Sequence, residues 1–240
     1  MLWISVVLMA TLSGVVQAIS GFGAGIMMML VLPRFFDMIT SSAIGSAVSI
    51  GITATLAWKF RRYMDFKITL LPAAVYMACS LTVLNFIQGL NMKVLTLVFG
   101  VFLVALSLYS LVFSKRMKLE ANWRTGAVCA AISGICSGLF GIGGPLMAVY
   151  FVSAAKDKET YIGSLQGMFC VTSSVNLLMR ITKGIYTLDP LPLTLVGMLC
   201  INVGKLLGLR IVDKLNADTF RKVVYAFVGI AGLLTIWQNI

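Results

Sequence analysis

The chain has no histidine, and only 8 aspartates and glutamates in 240 residues. Without histidine it lacks the commonest metal ligand and the commonest general base at neutral pH. The eight acids, Asp37, Asp65, Glu120, Asp157, Glu159, Asp189, Asp213 and Asp218, all fall at the ends of apolar runs or between them. A proton or sodium relay through a carboxylate at membrane depth has no residue to use, and neither has an intramembrane hydrolase needing paired carboxylates. Charge is scarce overall, at 11% of residues against 60% hydrophobic, with a mean hydropathy of +0.99. That is too little polar surface to cover a soluble globule. The five cysteines, Cys79, Cys129, Cys136, Cys170 and Cys200, make no Cys-x-x-Cys pair and read as small buried hydrophobes. No catalysis, metal, cofactor or nucleic-acid partner is expected.

What the chain does have is long charge-free runs, at 1–33, 38–58, 68–92, 94–114, 125–155, 160–179, 190–204 and 223–240. About 20 apolar residues cross the hydrocarbon core, so these predict an all-α, polytopic membrane protein with the bilayer as its solvent. Helices are expected near 40–58, 68–88, 94–113, 160–179, 190–209 and 220–238, with Pro72 and Pro192 opening two of them. The runs 1–33 and 125–155 are longer than one helix needs, and each carries a cluster of glycines. The first run lacks the basic start and small-residue cleavage site of a secretory signal, so it is expected to stay in the mature protein.

Those two clusters are copies of one frame. Ser13-Gly14 is followed after six residues by Gly21-Phe22-Gly23-Ala24-Gly25, and Ser133-Gly134 likewise by Gly141-Ile142-Gly143-Gly144-Pro145, 120 positions later. The chain therefore reads as a first repeat over 1–114, a basic linker over 115–124 and a second repeat over 125–240. Basic residues decide its orientation, because cytoplasmic loops carry the Lys/Arg excess. If each glycine-broken segment enters and leaves on one face, 15 of the 19 Lys and Arg are cytoplasmic; if all eight segments cross, only 10 are. The first arrangement puts both termini outside. With three true crossings per half it inverts the second copy relative to the first, so the two breaks meet near the midplane. Whether the broken segments are re-entrant or fully spanning is left open, as is a homo-oligomeric state.

Broken backbone at membrane depth persists only inside protein or beside a water-filled cavity. Helices restarting near Gly25 and at Pro145 would point free amides and the positive end of their dipoles into such a cavity, which suits a small anion without a metal. The residues expected to bind it are Gln17, Ser20, Gly21, Gly23 and Gly25 from the first break, and Ser137, Gly138, Gly141, Gly143 and Gly144 from the second. Gln166 in the following helix and Lys205, read as the one charge well inside an apolar run, complete the set. Close helix packing is the competing use of such glycines. Ser42, Ser46, Ser49, Ser173, Asn176, Asn85 and Asn202 are expected to hold helices together, and Asp37 and Asp157 to cap helices.

The run Ser20-Gly21-Phe22-Gly23-Ala24-Gly25 followed by Pro33, its partner Ser137 to Pro145, and the ending Gly204-x-x-x-Gly208-x-Arg210-Ile211 with Arg221-Lys222-Val223 resemble the TauE/SafE family, the sulfite exporter group. Ala24 stands where that family usually has glycine. The resemblance spans essentially the whole chain. It implies a permease of a bacterial or archaeal inner membrane moving sulfite, an organosulfonate or a related sulfur-containing or carboxylate anion. An anion channel, or a membrane-embedded subunit of a larger complex, is the alternative.

Overall fold

The computed structural model describes residues 1–113, 122–212 and 217–239, so most of the basic linker lies outside the described residues. Ten helices and no strand are found among them: α1 (Leu2–Ser20), α2 (Ala24–Met29), α3 (Met38–Lys59), α4 (Phe66–Phe86), α5 (Met92–Phe113), α6 (Trp123–Phe140), α7 (Gly144–Ala154), α8 (Lys158–Thr182), α9 (Leu191–Val212) and α10 (Ala217–Asn239). Six are long and apolar enough to cross a membrane: α1, α3, α4, α5, α8 and α9. By contrast α2 has 6 residues and α7 has 11. At about 1.5 Å per residue, even α7 reaches only about half the hydrocarbon thickness.

Short polar side chains start the helices. The Asp37 carboxylate accepts from the amides of Ile39 and Thr40, both at 3.0 Å, and Asp157 accepts from Thr160 at 2.7 Å, as the sequence suggested. Asp65, Asn91 and Asn122 do the same for α4, α5 and α6. Each cap satisfies amides that have no partner inside the helix.

Pro72 corrects one expectation. It lies inside α4, which has already begun at Phe66, whereas Pro192 does stand at the start of α9. Proline has no N–H for the carbonyl four residues back, here that of Ile68. The Tyr150 hydroxyl of α7 donates to that carbonyl at 3.3 Å instead. The helix therefore keeps its internal proline because a neighbour meets the orphaned acceptor.

Burial separates centre from rim. Two-thirds of the spanning window of α3 and half that of α8 are buried, against 28–33% for α1, α4, α5 and α9. Large apolar side chains such as Leu70, Leu199 and Trp237 project outward, as a lipid-facing surface requires. α3 and α8 run antiparallel: Ser42 meets Arg180 at one end, and Gly163 packs on Phe60 and Tyr63 at the other. Around them α1 lies parallel to α9, with Gly204 on Thr11 and Gly208 on Val15, and α6 lies parallel to α4, with Gly134 on Tyr76 and Gly138 on Val83. No side chain fits at those crossings, so the small residues let the backbones touch. α5 and α10 pair with each other through Gly100 and Gly232.

Candidate functional site

α1 stops at Gly21, whose φ of 81° is a left-handed conformation that side-chain-bearing residues avoid. Its N–H returns to the Gln17 carbonyl at 2.8 Å, and after Gly23, at φ 112°, α2 begins. α6 stops in the same way at Gly141, φ 69°, with its N–H on the Ser137 carbonyl at 2.9 Å. α7 then starts at Gly144-Pro145, where proline costs no hydrogen bond.

The two turns touch. A β-carbon on Gly25 would stand 2.7 Å from the Gly141 carbonyl oxygen, and one on Gly144 would stand 2.7 Å from Cβ of Phe22. Between the breaks and the central helices lies a cavity of about 50 Å³, room for a few waters or one small ion. Its lining is paired at the 120-residue offset: Gln17 with Ser137, Phe22 with Ile142, Gly23 with Gly143, Ala24 with Gly144, Gly25 with Pro145, Ser49 with Phe169, and Thr53 with Ser173. Tyr76, Ile26 and Gly141 complete it. In α2 the amides of Ala24, Gly25 and Ile26 precede the first bond within that helix, from Met27 N–H to the Gly23 carbonyl.

Polar side chains behind the lining fix each turn. At the first break Gln166 donates to the Gly21 carbonyl at 2.6 Å and accepts from Gln17 at 3.3 Å, while the Tyr161 hydroxyl donates to the Ser20 carbonyl. At the second, Asn176 donates to the Ser137 hydroxyl at 3.3 Å and accepts from Ser80 at 2.9 Å. The Tyr76 hydroxyl lies directly against Gly143. These contacts come from α4 and α8, so the turns are braced by spanning helices.

Of the residues expected from sequence, Gln17, Gly23, Gly25, Ser137, Gly141, Gly143 and Gly144 line the cavity. Ser20, Gly21 and Gln166 form the layer behind it, with the Ser20 hydroxyl 2.6 Å from the Phe22 carbonyl. Gly138 packs on Val83 of α4. Lys205 is apart from the rest. Its ammonium donates to Thr55 at 2.8 Å and Asn202 at 2.9 Å, and Asn202 in turn donates to the Gly51 carbonyl. At 3.6 residues per turn, Gly51 and Thr55 lie across α3 from the lining residues Ser49 and Thr53. Asn202 thus joins helices as expected, whereas Asn85 is exposed and bonds only its own helix.

The reading of Lys205 as the one charge inside the membrane is corrected by Arg180. Arg180 follows directly on a charge-free run and looks like a loop residue, yet it is 0% exposed within α8. Phe22 is legible only as part of the glycine frame, and no pattern in the sequence points to Tyr76 or Phe169. Thr53 and Ser173 carried a usable signal, being hydroxyl residues at the repeat offset.

The matching model among protein families is that described as sulfite exporter TauE/SafE, over residues 6–235. A probable membrane transporter protein of Methanocaldococcus jannaschii is 24% identical over 93% of this chain and 91% of its own length. No solved structure matches the chain. With a match over nearly its whole length and six helices of spanning length, this multi-pass membrane protein belongs to the sulfite exporter TauE/SafE family of membrane transporters.

Proposed function

We propose that this chain is a secondary transporter of a small oxoanion, with sulfite and organosulfonates as the first candidates, held in the cavity between the two helix breaks. The observation that carries this reading is the paired lining: both halves present the same positions to one small space. Such a cavity lies on a pseudo-two-fold axis, as in transporters built from inverted repeats. We read residues 1–114 and 125–240 as those repeats, joined by the linker over 115–124.

Charge placement supports the inversion. Gly163 packs on Phe60 and Tyr63, and the Asp65 amide donates to the Ser164 hydroxyl at 3.0 Å. The loops after α3 and before α8 thus share one end of the molecule, and with their flanks they carry Lys59, Arg61, Arg62, Lys67, Lys156 and Lys158. On the positive-inside rule that end is cytoplasmic, which places Met1 on the opposite face of an inner membrane. α2 is too short to cross, so we read the first broken segment as a tilted limb, α1, with a short return limb, α2.

An anion fits because the cavity offers backbone amides and hydroxyls and, among the described residues, no carboxylate. α2 is too short for a summed dipole to count, so its share is its unpaired amides; α7 adds a longer dipole. Exchange between faces would come from rocking of the two halves about the fixed site.

The test is counterflow in liposomes containing only this chain. Saturable uptake of labelled sulfite driven by internal unlabelled sulfite is expected. Unsaturable conductance would replace the carrier by a channel, and flux only with added proteins would make the chain a subunit of a complex.

A further inference from the structure

Arg180 is the largest fully buried side chain in the described protein. Every acceptor it meets among the described residues is neutral: the Ser42 hydroxyl at 2.6 Å, the Gly138 carbonyl at 2.9 Å, the Ser137 carbonyl at 3.3 Å and the Ile39 carbonyl at 3.4 Å. Its Nε has no hydrogen-bond partner among the described residues. A guanidinium withdrawn from water without a carboxylate is costly, and in a membrane protein such a residue marks a functional site by default. Position 60, its counterpart 120 residues earlier, is phenylalanine, so only one half carries this charge.

Its location says what the charge can do. Ser137 and Gly138 are in the last turn of α6, whose carbonyls form the negative end of that helix. Ser137 also lines the cavity. Left bare, those carbonyls would repel an anion from the same turn whose following residues line the site. Arg180 binds both carbonyls and leaves a net positive charge one residue behind the wall. At the first break the side chain that holds a turn carbonyl, that of Gly21, is the neutral Gln166 amide.

We infer that Arg180 is the charge-selecting residue of the transporter. Resting on the anion reading above, the inference is that it acts as a positioning residue, masking the α6 carbonyls and setting the cavity's sign so that oxoanions are admitted, without touching them. The structural alternative is a helix cap, for which any hydrogen-bond donor would serve.

The experiment measures KM and maximal rate for sulfite and methanesulfonate counterflow, and the sulfite-induced rise in melting temperature, in wild type, Arg180→Lys, Arg180→Gln and Ser42→Ala. Loss of one unscreened charge in a partly dry site raises KM roughly 10- to 100-fold. Arg180→Gln keeps a donor, so it should show that rise with its maximal rate and ligand-free melting temperature little changed. Arg180→Lys should stay within about threefold of wild-type KM. Ser42→Ala removes the shortest contact but keeps the charge, so it too should stay within about threefold, and it serves if Arg180→Gln does not accumulate. Wild-type KM in Arg180→Gln, an equal loss in the Lys and Gln variants, or a tenfold rise in Ser42→Ala each overturns the inference while leaving oxoanion transport standing. No saturable flux and no sulfite-induced shift in the wild type overturns both readings together.

Discussion

Gly25 of the first break and Gly141 of the second are in backbone contact, so closely that a β-carbon on Gly25 would stand 2.7 Å from the Gly141 carbonyl oxygen. Nothing in that contact can move as a flexible side chain would. The space between the halves is therefore set by the absence of one methyl group.

Gly25→Ala should accordingly push the breaks apart and deform the cavity. We expect sulfite counterflow to fall at least about tenfold and stability by about 1–3 kcal/mol, the usual cost of overpacking, with the protein still inserted. Gly89→Ala is the control, because a β-carbon there meets nothing within 4 Å. Equal activity in the two variants would show that the breaks need not touch.

Much of this was legible in the chain. The glycine frame at two places located both breaks, charge-free runs located the helices, and aspartates at their edges located caps. What was hidden has a physical reason in each case. Arg180 adjoins a charge-free run, and a helix of 25 residues carries it inward where a shorter one would have left it in a loop. Pro72 looks like a helix start because proline usually is one, and its tolerance inside α4 depends on Tyr150, 78 positions away. Lys205 looked close to the site because sequence spacing alone does not say which side of α3 a neighbour occupies.

The Pro72 arrangement predicts a coupling. Tyr150→Phe removes the donor to the Ile68 carbonyl and should cost about 1 kcal/mol, read as a lower melting temperature in detergent. In a Pro72→Ala background the helix supplies its own N–H to that carbonyl, and Tyr150→Phe should then cost much less. Additive effects in this double-mutant cycle would sever the link between proline and tyrosine.

Asp157 gives a pH dependence outside the membrane. Hydrogen bonds from Thr160, its amide first, hold the Asp157 carboxylate below its ordinary value of 3.8, with a smaller contribution from Lys156. A group whose folded value is depressed stabilises the protein above the unfolded value, and that stability disappears as pH falls through the folded one. Wild type should therefore melt above Asp157→Ala at neutral pH, with the gap closing only below about pH 4. A gap that persisted unchanged at the lowest pH tolerated would mean that the cap does not depend on the charge.

Thr53 and Ser173 offer the sharpest check on the proposed pseudo-symmetric site, because both line one cavity, from α3 and α8, at positions 120 apart, and the Thr53 hydroxyl would have to turn from the Ser49 carbonyl to meet a ligand. Were only one half to bind the anion, one hydroxyl would matter and the other would be a spectator. On the proposed axis each faces the ligand alike. A hydrogen bond to a charged group is worth about 1.5 kcal/mol or more, so Thr53→Val and Ser173→Ala should each raise KM at least about tenfold. Together they should raise it at least about 100-fold, since neither removes the other's contact. Lys205→Gln, altering a residue across α3, should leave KM where it was. A tenfold disparity between the two hydroxyl variants, or a shift from Lys205→Gln as large as theirs, would place the ligand off the axis and on one repeat.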